Sequence, residues 1–201
     1  MDFSVIKNNL EKKGYAVSCF ETKEEAALYL TENIKNTTVG FGGSITVKEM
    51  DLYNKLAQEN TVDWHWVLKD GQTVPMAHKA ASEAEIYICS VNGIAESGEI
   101  INIDGTGNRV AESIFGHKKV IFVVGKNKIA PDFEKAMWRA RNIAAPKNAQ
   151  RLGLDTPCAV KADKCYDCSS PSRICRGFLV LEGPPNGAEV EIVLVNNNLG
   201  Y

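Results

Sequence analysis

The chain has 201 residues, 44% of them hydrophobic and 24% charged, with a formal net charge of −2. That is the balance of a globular protein long enough to bury a core without cross-links. Its 23 basic and 25 acidic residues are interspersed, so it lacks the basic face that nucleic acid or an anionic membrane demands. No apolar run approaches the ~20 residues of a membrane span. The opening MDFSVIKNNLEKKGY has no signal-peptide core. The expectation is a cytoplasmic protein with neither nucleic-acid nor membrane partners.

Taken in order, Ser4 to Lys13 reads as a short amphipathic helix and Tyr15–Phe20 as a strand. Thr22 and Glu25 form a capping box for a helix that carries Ala26, Leu30 and Ile34 at helical spacing. Thr37–Phe41 is a second strand breaking into GGSIT, after which Thr46 with Glu49 reads as another capping box. Met50, Tyr53 and Leu56 continue the apolar stripe. A strand over Val62–Val67 and a short helix over Pro75–Ser82 lead into EIYICSV, an almost continuous apolar strand of the buried parallel kind.

Asn92–Asp104 alternates and carries glycines, which suits a hairpin or extended excursion. A short helix stopped by Gly116 precedes the strand Lys119–Gly125. Pro131 opens a longer helix that Pro146 should end or follow just after its last turn, and Ala188–Val195 closes the chain as a strand. The alternation of helices and strands predicts one α/β domain: an open, mostly parallel sheet with helices on both faces. The cysteine-rich segment at about 156–176 reads as an insertion before the last strand.

In such a sheet, ligands bind beyond the carboxyl ends of the parallel strands. The glycine-bearing loops Gly40–Thr46, Asn92–Gly98, Asp104–Arg109 and Gly125–Lys128 leave or follow such ends. Gly42 and Gly43 would let backbone N–H groups approach an anion, with Ser44 and Thr46 beside them. Asn92, Gly93, Gly98, Asn108, Arg109 and Lys126 complete the candidate binding set for a small anionic metabolite. Lys128, like Lys126, could supply charge to the same cleft, although a lysine in a surface loop usually has no specific role. G-x-G-x-x-G and the Walker lysine are absent, so no nucleotide motif is present. Glu96 is the candidate general base or nucleophile, should it face the cleft. His65 reads as a strand residue, while His78 and His117 have no partner at metal or triad spacing.

Cys19 and Cys89 fall inside predicted strands as small buried hydrophobes. Cys158, Cys165, Cys168 and Cys175 follow the spacing C-x6-C-x2-C-x6-C. Cytosolic thiols stay reduced, which favours metal over a disulfide pair. Four thiolates satisfy either Zn²⁺ or a [4Fe–4S] cluster, in a structural or electron-transfer role.

VGFGGSIT, SVNGIAESGEI, GTGNRVAESIFG, KVIFVVGKNKIAPDFEKAMWRARNIAAPKNAQRL and TPC…KCYDCSSPSRIC, in that order, resemble the lactate-utilisation (LUD) domain family, in a branch with a C-terminal four-cysteine cluster. The resemblance implies a fold similar to sugar-phosphate isomerases and CoA transferases, with Gly40–Thr46 as the substrate loop. It also sets AESG where related CoA transferases keep a catalytic glutamate, at Glu96. Relatives belong to operons that oxidise L-lactate to pyruvate beside iron–sulphur partner subunits. The chain lacks the paired C-x2-C-x2-C runs of the larger subunits, which implies an accessory role or none in lactate metabolism. Two further readings compete: a CoA-transferase- or isomerase-like enzyme using Glu96, and a non-catalytic metal-bearing interaction subunit. Turnover and oligomeric state stay open at this stage.

Overall fold

The computed structural model describes all residues, Met1–Tyr201. The chain begins α1 (Ser4–Lys12), β1 (Ala16–Phe20), α2 (Lys23–Asn33), β2 (Thr38–Phe41), α3 (Ile45–Glu49), α4 (Leu52–Leu56) and β3 (Thr61–Trp64). It continues through α5 (Val74–Ser82), β4 (Ile86–Cys89), β5 (Gly93–Ala95), β6 (Ile100–Asp104), α6 (Asn108–Glu112), β7 (Lys119–Gly125) and β8 (Ile129–Ala130). The last third holds α7 (Phe133–Arg139), a π-helical turn (Ala140–Ala144), α8 (Ala145–Arg151), α9 (Pro157–Lys161), β9 (Gly177–Leu181) and β10 (Glu189–Val195).

Six strands form a sheet in the order β1-β10-β7-β4-β2-β3, and every pair in it is parallel. The apolar strands β7 and β10 pair along their whole length near its middle, from Glu189 opposite Lys119 to Val195 opposite Gly125. Side chains alternate between the two faces. Ile121, Val123, Val193 and Val195 point to one side, where Ala26, Leu30, Val47 and Leu56 of α2, α3 and α4 cover them, with Met50 from the end of α3. Val120, Phe122, Val124, Ile192 and Leu194 point to the other, against Ile6 and Leu10 of α1 and Ile94 and Ile100 of β5 and β6. Each such large side chain contributes about 1.5–3 kcal/mol on burial.

The second face therefore meets a small second sheet as well as helices. Its order is β8-β5-β6-β9: a β5–β6 hairpin, extended antiparallel by β9 and parallel by β8. Gly40 lets the backbone of α5 reach the main sheet, since a side chain there would run into the carbonyl of Ala81.

Three local readings change. The capping box at Thr22 and Glu25 is present, but Ser44, not Thr46, caps α3 by accepting from Val47 N. Thr46 sits inside that helix and is buried, while Glu49 accepts from Gly200 N. Pro146 does not end its helix. It occupies the first turn of α8, where the missing N–H follows a π-helical turn that has already broken the i→i−4 ladder. The cysteine segment, read as an insertion before the last strand, contains α9 and leads first into β9 of the second sheet.

Candidate functional site

A cleft of about 380 Å³ opens beyond the carboxyl ends of β2, β3, β4 and β7. From β2 it takes Gly43 and Ser44, from β3 His65 and Trp66, from β4 Ser90 and Asn92, and from the turn after β7 Lys128. The chain leaves β2 toward β3 and returns to place β4 on the other side of β2. The loops after β2 and β4 thus head apart, which is how a crevice opens in such a sheet. Asp104 and Arg109 after β6, with Asn148 and Arg151 of α8, close the remaining side.

Lys128 supplies charge to the cleft as its loop allowed, but from a buried position rather than from the surface. It is only 4% exposed, and its Nζ donates to Thr46 Oγ1 and Ser90 Oγ, both at 2.8 Å. Those hydroxyls pass their own protons on, Thr46 to Leu199 O and Ser90 to Val123 O. They therefore accept from the ammonium, and two of its three N–H groups are used. Burial, reinforced by the Arg139 and Arg109 guanidinium groups, lowers Lys128 to about 7.

Arg109 is also buried, and all of its donors are spoken for. Nη1 reaches Ser90 O (3.0 Å) and Asn102 Oδ1 (2.5 Å), and Nη2 reaches Asn92 Oδ1 (3.0 Å) and Ile103 O (2.7 Å). Nε lies 3.5 Å from Asp104 Oδ2. Arg109 thus fixes the Asn92 loop against β6 and lends the cleft charge, with no N–H left to grip a ligand. Arg139 works the same way from behind, donating to Asn127 O (2.7 Å) and Asn92 O (2.5 Å). Burial lowers it to about 10, so it stays charged at neutral pH. Three buried cationic side chains face two neighbouring carboxylates, Asp104 beside Arg109 and Glu49 near Lys128, which leaves an excess of positive charge for an incoming anion.

His65 and His78 stack beside the cleft with ring centroids 4.3 Å apart. Burial and the neighbouring His78 push His65 down to about 4, so it enters the site neutral. No spacing rule joins residues thirteen apart in sequence. The turn after β3 and the helix α5 bring them together. Arg151 lies over the Trp66 ring, 4.9 Å from its centroid, at the same rim.

Of the candidate binding residues, Gly43, Ser44, Asn92, Asn108 and Arg109 line the cleft. Thr46 sits beneath it as a partner of Lys128. Gly42 spends its N–H on Ile88 O and its carbonyl on Trp64 Nε1. Gly93 packs in β5 against the backbone of Ala136, and Gly98 sits in the β5–β6 turn (φ +102°) against Lys13. Lys126 is not among the lining residues; its N–H bonds Asn197 O. Glu96 is also outside the cleft lining, in the β5–β6 turn, with its N–H on Ala130 O and its carbonyl on Asn9 Nδ2.

All six cysteines are free thiols. Burial pushes Cys89 up to about 12, as an inert core thiol would be, whereas Cys19 is exposed on the edge strand β1. The other four line a second, smaller pocket beside the cleft. No three His, Cys, Asp or Glu side chains are grouped as the ligands of a metal ion.

Fold and site together define an α/β protein that presents a positively charged cleft at the carboxyl edge of a parallel sheet. The LUD domain profile matches residues 4–195, and the chain belongs to the LUD domain family, which is linked to lactate utilisation. A crystal structure of a DUF162 family protein from Deinococcus radiodurans is similar, with a TM-score of 0.53 at 14% identity over 98% of this chain and 99% of that one. At that identity the likeness is one of fold, and it spans both sheets. Among curated proteins the sequence finds no match. No helix is long and apolar enough to cross a membrane.

Proposed function

We propose that the cleft binds a small anionic metabolite, with Lys128 as its charge partner, and that the protein is accessory to L-lactate utilisation or a related redox pathway. The observation that carries this reading is the buried Lys128 ammonium at the cleft, backed by two guanidinium groups that are themselves bonded to the surrounding fold. An anion bound there repays the cost of burying that charge. A volume of about 380 Å³ lies at the small end of ligand sites, which suits a short carboxylate or a phosphate-bearing group. In this reading the protein works in the cytoplasm beside an iron–sulphur oxidoreductase subunit, as the family's link to lactate oxidation suggests.

The test is direct. Lactate, pyruvate and a CoA ester are titrated into the protein and into Lys128→Met, with heat and melting temperature as readouts. Binding by the native chain that is lost in the variant supports the reading. If none of the three shifts the native melting temperature, and deletion of the gene leaves growth on L-lactate unchanged, the proposal fails.

A further inference from the structure

The surroundings of Lys128 Nζ do more than hold a charge. Both of its hydrogen bonds go to neutral hydroxyls, Thr46 Oγ1 and Ser90 Oγ, each at 2.8 Å. Each hydroxyl donates its own proton elsewhere, to Leu199 O (3.3 Å) and Val123 O (2.5 Å), and so accepts from the amine. Glu49, a carboxylate that acts on Lys128 through its charge, accepts instead from Gly200 N. The backbone of Gly200 packs against the same atom: a Cβ there would stand 3.3 Å from Nζ and 2.7 Å from Thr46 Oγ1. Lys128 nevertheless lines the cleft, together with Ser90.

A neutral amine has two N–H groups and one lone pair. Thr46 and Ser90 accept two N–H groups, so every donor of the neutral form is satisfied and its lone pair is unused. An ammonium in the same place keeps a third N–H with no partner in the chain. Burial and the guanidinium groups of Arg139 and Arg109 act in the same direction, bringing Lys128 down to about 7. An unprotonated lysine in a ligand cleft is a nucleophile toward carbonyl carbon.

We propose that Lys128 forms an imine with a small 2-oxo acid bound in the cleft. This rests on the anion-binding reading of the cleft and adds a ligand class to it. The Nζ lone pair attacks the keto carbon, and the C=O π electrons move to oxygen, which takes one proton from the nitrogen. The second amine proton then leaves, the C–O bond breaks, and water departs with both hydrogens of the original amine. The C=N bond so formed takes one proton from solvent to become an iminium. No oxidant or reductant is consumed. The hydroxyls of Thr46 and Ser90, in hydrogen-bond contact with Nζ, are placed to relay these protons.

The ligand class follows from where the charges lie. Arg139 and Arg109 act on the same atom that attacks, so the anionic group and the reacting carbon must sit together. In a 2-oxo acid they are on adjacent carbons. The iminium then stands beside the carboxylate and restores the charge that the free amine gave up.

The test is reductive trapping on the full chain. The protein is incubated with pyruvate and cyanoborohydride at pH 7, weighed intact by mass spectrometry, then digested and mapped. The expected result is a gain of one carboxyethyl group, located on Lys128, because exposed lysines are almost wholly ammonium at that pH. L-lactate has a hydroxyl in place of the carbonyl, so it should leave no adduct and should slow trapping by pyruvate. Lys126→Met should label as the native chain does, and Lys128→Met should not label. The map on the native chain locates the adduct even where that variant fails to fold. Heat and melting temperature with pyruvate, read on the native chain, separate the two readings. Binding without an adduct overturns the imine and leaves the anion site standing, whereas neither binding nor adduct overturns both. Label spread over several lysines, or kept at the native level by Lys128→Met, overturns the imine as well.

Discussion

Replacing Lys128 with methionine keeps the length of the side chain and removes the ammonium. Each hydroxyl beneath it keeps its own donated bond, to Leu199 O or Val123 O, and loses only a donor to its lone pair. Against that loss stands the relief of burying a cation beside Arg139 and Arg109, so the variant should fold. Its effect on binding is larger. One charge-assisted hydrogen bond to an anion contributes about 1.5–3 kcal/mol, or roughly 10- to 150-fold in Kd. The pH dependence separates this from a general disturbance. In the free protein Lys128 is half-protonated near about 7. An anion favours the ammonium and raises that value, so binding takes up a proton. Affinity should be constant below about pH 6 and fall about tenfold per unit above 7, until the bound-state value is passed. Stability runs the opposite way. Between about 7 and the ordinary lysine value near 10.5, the unfolded chain holds a proton that the folded one lacks. Native stability therefore gains up to about 1.4 kcal/mol per pH unit there, and Lys128→Met should lose that slope. Calorimetry in two buffers of different ionisation enthalpy counts the protons, and urea melts at pH 7, 8 and 9 read the slope. A variant with native affinity, or with the native slope intact, would refute the reasoning.

Arg139→Leu strips Asn92 O and Asn127 O of their partner and should cost about 2–4 kcal/mol in denaturant melts. It also removes the largest repulsion on Lys128, so the pH midpoint of ligand binding should move up. Gly42→Ala forces a Cβ to 2.8 Å from Tyr87 Oη and 2.9 Å from Cys89 Cβ, an overpacking worth about 1–3 kcal/mol in the urea midpoint. Glu96→Gln, remote from the cleft, should change stability by less than about 0.5 kcal/mol and leave ligand heats untouched; lost binding would return Glu96 to the site. His65, held down near about 4 by burial and His78, is protonated in the unfolded chain first. Stability should thus fall as pH drops from about 6.5 toward 4, by less than about 1 kcal/mol because the ring is only half-buried. His65→Phe should remove that acid loss in thermal melts.

What the sequence made legible was whatever depends on neighbours in the chain. β7 lies just where KVIFVVG ends its apolar run, and the box at Thr22 and Glu25 caps α2 as its spacing requires. The loops that build the cleft could be ranked because glycines and polar residues follow apolar strands. What escaped depends on partners far along the chain. Lys128 sits in KNK, a polar tripeptide whose charge could be placed near the cleft but whose burial could not, because Thr46 and Ser90, 82 and 38 residues away, come to meet it. Arg109 looked like a free clamp, since nothing local shows that Ser90, Asn92 and Asn102 consume its donors. β9 was missed because its residues are mostly only partly buried, with Phe178 exposed, so no clean alternation marks it. At Pro146 the rule that proline ends helices yielded to a π-helical turn, which has no signature in composition.

The division of labour among the three buried cations explains why one of them is a lysine. Arginine keeps its charge under almost any burial and presents a rigid fork of donors, so it suits a permanent strut. Arg109 and Arg139 are such struts, tying the Asn92 loop from two directions through carbonyl and amide oxygens. A third fixed charge in the same volume would raise the cost of folding an empty cleft. Lysine can shed its proton when no anion is present, and the two neighbouring charges push it to do so near neutrality. The charge is then restored at the moment an anion arrives to repay it. The same pressure that makes Lys128 the weak cation of the set therefore makes it the one that responds to ligand.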